Sequence, residues 1–181
     1  MADEDDEESE VEDDERIMKL VTYSSRHTPE ELAGYLKELG GEDTVIYGDL
    51  YAGRGLFGKA FLLLRGAACL NEDEPTAPQI EEHRKLFVAA IGQEGPEAQA
   101  ALLVILELYC VKERRGCLDE FGKVLKVLWE RDIVAEELIE AWWLNERALQ
   151  EFSPKFFSQD DAETIRKSSN KFIEWMQAGE S

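Results

Sequence analysis

The sequence predicts an all-α protein made of stacked antiparallel helix pairs. Three observations carry this. Apolar residues recur at helical spacing along most of the chain, and few segments alternate with the period of two that a half-buried strand needs. Capping residues, Pro and Gly punctuate the apolar runs at short intervals. The stretch Ala100–Val111 is apolar on every side except at Glu107, as expected of a helix enclosed by others. About eight or nine helices with short connections imply a HEAT-like α-solenoid, although no fixed-period repeat is visible in the letters.

Taken in order, residues 1–15 hold eleven acids and no base. Such a segment cannot bury apolar surface and is expected to be a disordered tail or linker. It either solubilises the chain or extends its attraction for basic partners. Residues 16–181 are expected to form one domain. Ile17, Leu20, Val21 and Ser24 give a short amphipathic helix. Thr28-Pro29-Glu30-Glu31 is a helix start, with a Thr cap, Pro at the first helical position and Glu at the third. Leu32, Tyr35, Leu36 and Leu39 follow at helical spacing, and Gly40-Gly41 stop the helix.

Thr76 to Gln79 repeats the capping pattern, with Ile80, Phe87, Val88 and Ile91 on one face. Gly95-Pro96 opens the central helix, which runs to about Glu113. Leu118, Phe121, Val124, Leu125, Leu128 and Trp129 form the next. Read as one helix, Asp132 to Leu149 puts Val134, Leu138, Ala141, Trp142 and Leu149 on its core side. Glu136, Glu140 and Arg147 fall opposite, with Trp143 at the boundary. Ser153-Pro154 breaks the chain before a last helix, in which Ile165, Phe172, Trp175 and Met176 share a face opposed by Glu174.

The formal charge is −20, from 40 acids and 20 bases. Outside the first fifteen residues the excess gathers late: residues 129–181 hold 12 acids and 6 bases, against 17 and 14 in residues 16–128. This argues against direct contact with nucleic acid or an anionic membrane, and for a basic protein segment as partner. Three cysteines without a Cys-x-x-Cys suit a reducing compartment, with the thiols acting as small apolar residues. There is no basic-then-apolar leader, and the longest apolar run, Ala100–Leu106, is too short to span a bilayer. A cytoplasmic monomer is expected.

One motif points elsewhere. Gly53-Arg54-Gly55-Leu56-Phe57-Gly58-Lys59-Ala60 matches seven of the eight positions of a phosphate-binding loop. Ala60, however, stands where a hydroxyl must meet the magnesium ion, and Gly48-Asp49 spoil the preceding Val45-Ile46-Tyr47 as a strand. Glycines between two helices are the commoner reading. His27 is expected to be exposed and His83 to lie at a core edge, with no zinc spacing between them. No nucleophile has a base nearby in sequence, so no catalytic residue, metal or cofactor is expected. Glu107, alone on an apolar helix, should find a cation or a polar helix end.

All four tryptophans lie in residues 126–143 and 172–181, interleaved with carboxylates. Trp142, Phe172 and Met176 read as core. An aromatic edge beside acids can receive lysines, because charge attracts the ammonium group and the ring takes the cation and its stem. The candidate partner-binding residues are Asp132, Glu136, Glu137, Glu140, Trp143, Glu174, Trp175 and Glu180.

These same segments carry a resemblance. Ala98-Gln99, Leu102-Leu103 and Leu106-Glu107 resemble the central helix of the W2 family, the domain named for two tryptophan-bearing boxes. That domain ends translation initiation factor 5 and the epsilon subunit of initiation factor 2B. Leu125 to Trp142 resembles the first acidic–aromatic box, and Phe172-Ile173-Glu174-Trp175-Met176-Gln177-Ala178 the second. The likeness covers roughly residues 96–181, and the Arg84-x-x-Phe87 region is closer to factor 5. It implies a HEAT-type scaffold whose boxes bind lysine-rich stretches of the initiation factor 2 beta subunit. It also implies contacts with initiation factors 1, 3 and 4G. No GTPase-activating module falls in these residues. The alternative is nucleotide exchange on initiation factor 2, as in the 2B epsilon subunit. The second box departs from the family, stopping at Ala178-Gly179-Glu180-Ser181 where consecutive acids are usual.

Overall fold

The computed structural model describes residues 15–39, 56–144 and 159–179, and these contain helices and turns but no strand. Helix α1 covers residues 15–24 and α2 Pro29–Leu39. Helix α3 (Leu56–Leu62) runs on into a wide π turn, Leu63–Ala67. Helix α4 is Thr76–Glu82, and α5 (Arg84–Phe87) continues as a second π turn, Val88–Gly92. Helix α6 is Pro96–Lys112, followed by a 3₁₀ turn, Arg115–Asp119. Helices α7 (Phe121–Glu130), α8 (Glu136–Leu144) and α9 (Gln159–Ala178) complete the described chain.

The stack is HEAT-like. Helix α6 packs against α3 on one side and α8 on another, α4 lies on α7, and α7 takes α9 along its length. Every residue from Ala101 to Cys110 is buried, including Glu107; Ala100 alone of the predicted apolar stretch is exposed. A helix without a polar face must be covered all round, which fixes α6 as the axis of the fold. Gly95 at φ 104° and Pro96 start it. Where α7 and α9 meet, Gly122 lets the backbones approach: a Cβ there would sit 3.2 Å from the Ser168 carbonyl oxygen. The Ser168 hydroxyl completes the contact by donating to the Leu118 carbonyl at 2.6 Å.

The start of α2 is the capping box that the sequence predicts. The Glu31 N–H donates to Thr28 Oγ1 at 3.2 Å, and the Thr28 N–H donates to Glu31 Oε2 at 3.2 Å. The same pattern misleads at α4. Pro75 is the cap residue there and makes no side-chain cap bond. Gln79 instead reaches back, accepting from the Asn71 N–H at 2.6 Å and donating to the carbonyls of Asn71, Glu74 and Pro75. One amide thus holds the whole turn before α4.

Three smaller expectations change. His27 is half-buried: its ring stacks on Tyr23 at 3.4 Å, and Nδ1 donates to the Tyr23 carbonyl at 2.8 Å. Cys69 is exposed, while Cys110 and Cys117 are buried as predicted. Helix α3 already contains Leu56, Phe57 and Gly58, so five of the eight positions of the apparent phosphate loop are helix, with Lys59 and Ala60 buried in it. Gly53 to Gly55, like Val45 to Tyr47, lie outside the described residues.

Just past α6, Glu113 sits 3.4 Å from Arg65. Burial pushes its carboxyl up to about 7 from 4.5, and a hydrogen bond with Glu72 adds to the shift. Between those values the folded chain keeps a proton that the unfolded chain has lost. Stability from this group therefore falls as pH rises through that window. Glu113→Gln should flatten the fall, and urea midpoints of both chains across that range read it.

Candidate interaction surface

The first box is organised by how α7 ends. Asp132 takes the left-handed conformation, φ 57°. The Asp132 N–H donates to the Trp129 carbonyl at 3.3 Å and the Ile133 N–H to the Leu128 carbonyl at 2.9 Å. This pair of bonds closes a Schellman turn, with Ile133 and Leu128 both fully buried beneath it. The turn lies close over Gly92, where a Cβ would stand 2.7 Å from the Asp132 carbonyl oxygen. Arg131 ties it to α4: Nε donates to Glu81 Oε2 at 2.8 Å and Nη2 to Glu81 Oε1. Those bonds hold the Glu81 carboxyl below its ordinary value. The Ala135 N–H donates to Gln99 Oε1 at 2.8 Å, which anchors the start of α8 to α6.

The helix predicted from Asp132 therefore begins at Glu136. The four intervening residues are turn, and this rotates the expected faces. Ile139 and Trp142 are buried and Leu138 is half-buried, but Ala141, predicted in the core, is exposed. Glu136, Glu140 and Trp143 share one half-buried row, spaced i, i+4, i+7, with Glu137 exposed beside it. Glu136 and Glu137 also occupy the first turn of α8, where acids favour a helix start.

Trp142 is core, as predicted, and it closes a buried network. Its Nε1 donates to Glu107 Oε1. Arg166 of α9 donates to Glu107 Oε2 and to the Trp142 carbonyl, both at 3.4 Å, and its guanidinium lies 4.9 Å from the Trp142 ring centre. The expected cation for Glu107 is Arg166. Burial pushes the Glu107 carboxyl up, opposed by Arg166 and by the indole N–H. This network clamps α6, α8 and α9 together.

Trp143 is pinned from the other side. Its Nε1 donates to Asn170 Oδ1 at 3.0 Å and to the Arg166 carbonyl at 3.3 Å. Arg166, Asn170 and Glu174 follow one another at i, i+4, i+8 along α9, and Glu174 is exposed. Trp143 thus joins α8 to this α9 row, and Glu136 and Glu140 lie on the same face of α8 as Trp143, with Glu137 alongside. Asp132 is exposed in the preceding turn and off the helix.

Trp175 belongs to a different seam. It is half exposed (50%) and packs edge-on against Trp129 at 5.4 Å, with Lys126 Nζ 5.5 Å from its ring centre. The two predicted box tryptophans therefore face opposite sides of α9. Glu180 lies outside the described residues. Sequence reasoning missed Gln99, Asn170 and Arg166. Arg166 alone had a signal, since a buried Glu107 calls for a cation.

The chain is similar to several known proteins. The family model described as W2, eIF4-gamma/eIF5/eIF2-epsilon, matches residues 98–181. Initiation factor 5 of Phaseolus vulgaris is 32% identical over 98 residues, which is 54% of this chain and 20% of that protein. A probable initiation factor 5-2 of Arabidopsis thaliana is 27% identical over 106 residues, 58% of this chain and 22% of that one. Initiation factor 5 of Zea mays is 29% identical over 103 residues, covering 57% and 20%. The matched part of the chain is about a fifth of the length of these relatives. A solved structure, "The C-terminal Domain of Translation Initiation Factor 5 at low pH", superposes with TM-score 0.60 at 22% identity, covering 93% of this chain and 92% of that one. At that identity it speaks for the fold, while the family match covers the two boxes and the central helix that joins them. Over residues 98–181, a little under half of its length, the chain is similar to the W2 family.

Proposed function

We propose that this chain is the scaffold end of a translation initiation factor of the factor 5 type. Its surface receives lysine-rich segments of the initiation factor 2 beta subunit, and initiation factors 1, 3 and 4G are further partners. It works without a cofactor, as a cytoplasmic monomer. One observation supports the reading: Glu136 and Glu140 share a face of α8 with Trp143, Glu137 lies beside it, and the Trp143 indole donates hydrogen bonds to the α9 row that ends in Glu174. Ammonium groups meet the carboxylates, and lysine stems lie on the exposed part of Trp143.

An exposed ion pair contributes only ~0–1 kcal/mol, so the affinity is a sum over several contacts and depends strongly on salt. Calorimetric titration with a lysine-rich peptide should show binding at low salt that is largely lost at about 0.5 M salt, where the screening length is only a few ångströms. Equal affinity in both conditions contradicts the reading. Release of GDP from initiation factor 2, measured alongside, should stay at its spontaneous rate. Acceleration by this chain would assign it to exchange, as in the 2B epsilon subunit.

A further inference from the structure

The second tryptophan seam has the wrong sign for a lysine receptor. A groove of about 390 Å³ runs between α7 and α9, walled by Lys123, Lys126, Lys171 and Trp175, with Asp119 and Glu120 also on its lining. Those ionic side chains sum to +1 on a chain of net charge −20. All three lysines are exposed. Lys123 and Lys126 pair with acids of their own neighbourhood, Glu120 at 3.4 Å and Glu130 at 3.9 Å. Such exposed pairs exchange easily for another carboxylate. Trp175 stands half exposed beside them, with Lys126 Nζ 5.5 Å from its ring centre.

We propose that this groove is the docking site of the chain's own acid-rich segment, residues 3–14. This goes beyond the proposed function, which concerns the α8–α9 seam. Charge complementarity selects the occupant: the segment holds ten acids and no base. Tethering explains how so modest a groove retains it. Joined directly to α1 at residue 15, the segment is held at high effective concentration, so a few weak contacts suffice in cis where a free partner would dissociate. Twelve extended residues span about 40 Å, comparable to the width of a domain of this size. Nucleic acid is disfavoured, because the rest of the surface repels a long polyanion.

The test compares amide and indole NMR spectra of the full chain with those of a variant lacking residues 2–14. The Trp175 indole signal and the amides of Lys123, Lys126 and Lys171 should shift on deletion. Adding the synthetic 2–14 peptide to the shortened chain should move them back towards the full-chain positions. In the background Lys123→Glu, Lys126→Glu, Lys171→Glu, the same deletion should leave Trp175 unmoved, a double-mutant cycle that isolates the contact. Identical Trp175 and lysine signals with and without the segment overturn the proposal. So does an RNA oligonucleotide that shifts these signals equally in the full and shortened chains.

Discussion

Reversing Glu136, Glu137 and Glu140 to lysine together should abolish binding of a lysine-rich peptide. Each exposed pair contributes ~0–1 kcal/mol, so losing three costs about 1.5 kcal/mol, and replacing them by like charges adds a comparable repulsion. Affinity should drop by about a hundredfold or more at low salt. The same residues support the start of α8, so reversal also weakens that helix, by ~0.3–1 kcal/mol per site. Circular dichroism should still report a folded chain, because Trp142, Ile139 and the Gln99 anchor are intact. A control reversal of Glu30 and Glu38, exposed on α2, should leave binding nearly unchanged. Wild-type affinity in the triple variant would remove α8 from the site.

Trp142→Ala should cost ~3–5 kcal/mol, a large part of the stability of a domain this size. The loss has two sources. The indole leaves a cavity against Phe121, whose ring centre lies 5.1 Å away. It also removes a hydrogen bond from Glu107, a carboxylate with almost no solvent contact. Trp142→Phe keeps most of the volume and loses the N–H, so it should fall between, at ~1–3 kcal/mol. Urea denaturation of the three chains measures both steps. An alanine variant with the wild-type midpoint would mean that the clamp between α6, α8 and α9 is not what holds these boxes together.

Much of the fold could be read from the letters, and the reasons are local. Ala100–Val111 announces an enclosed helix because only one residue in it is polar, and Thr28 to Glu31 announces a start because both halves of the reciprocal cap are present. The misreadings were tertiary. Asp132 looks like a helical residue in a helical run, yet α7 ends by burying Ile133 over Leu128, and this forces Asp132 into a left-handed turn. Everything after it rotates, which is why Ala141 is outside. The acids and indole of the first box were legible as a cluster, since helical spacing alone aligns Glu136, Glu140 and Trp143. The division of the two boxes between opposite sides of α9 was not. It depends on Asn170 catching Trp143 and Trp129 catching Trp175, contacts between residues far apart in sequence.

The central claim is that a seam of carboxylates beside Trp143 captures a cationic segment. The most direct measurement is chemical-shift mapping of the isotope-labelled chain during titration with a lysine-rich peptide at low salt. The account predicts shifts at the Trp143 indole and at the amides from Glu136 to Glu140 and around Asn170 and Glu174. Shifts confined to α1–α3, or to Trp175 and its lysines, with Trp143 unmoved, would contradict it.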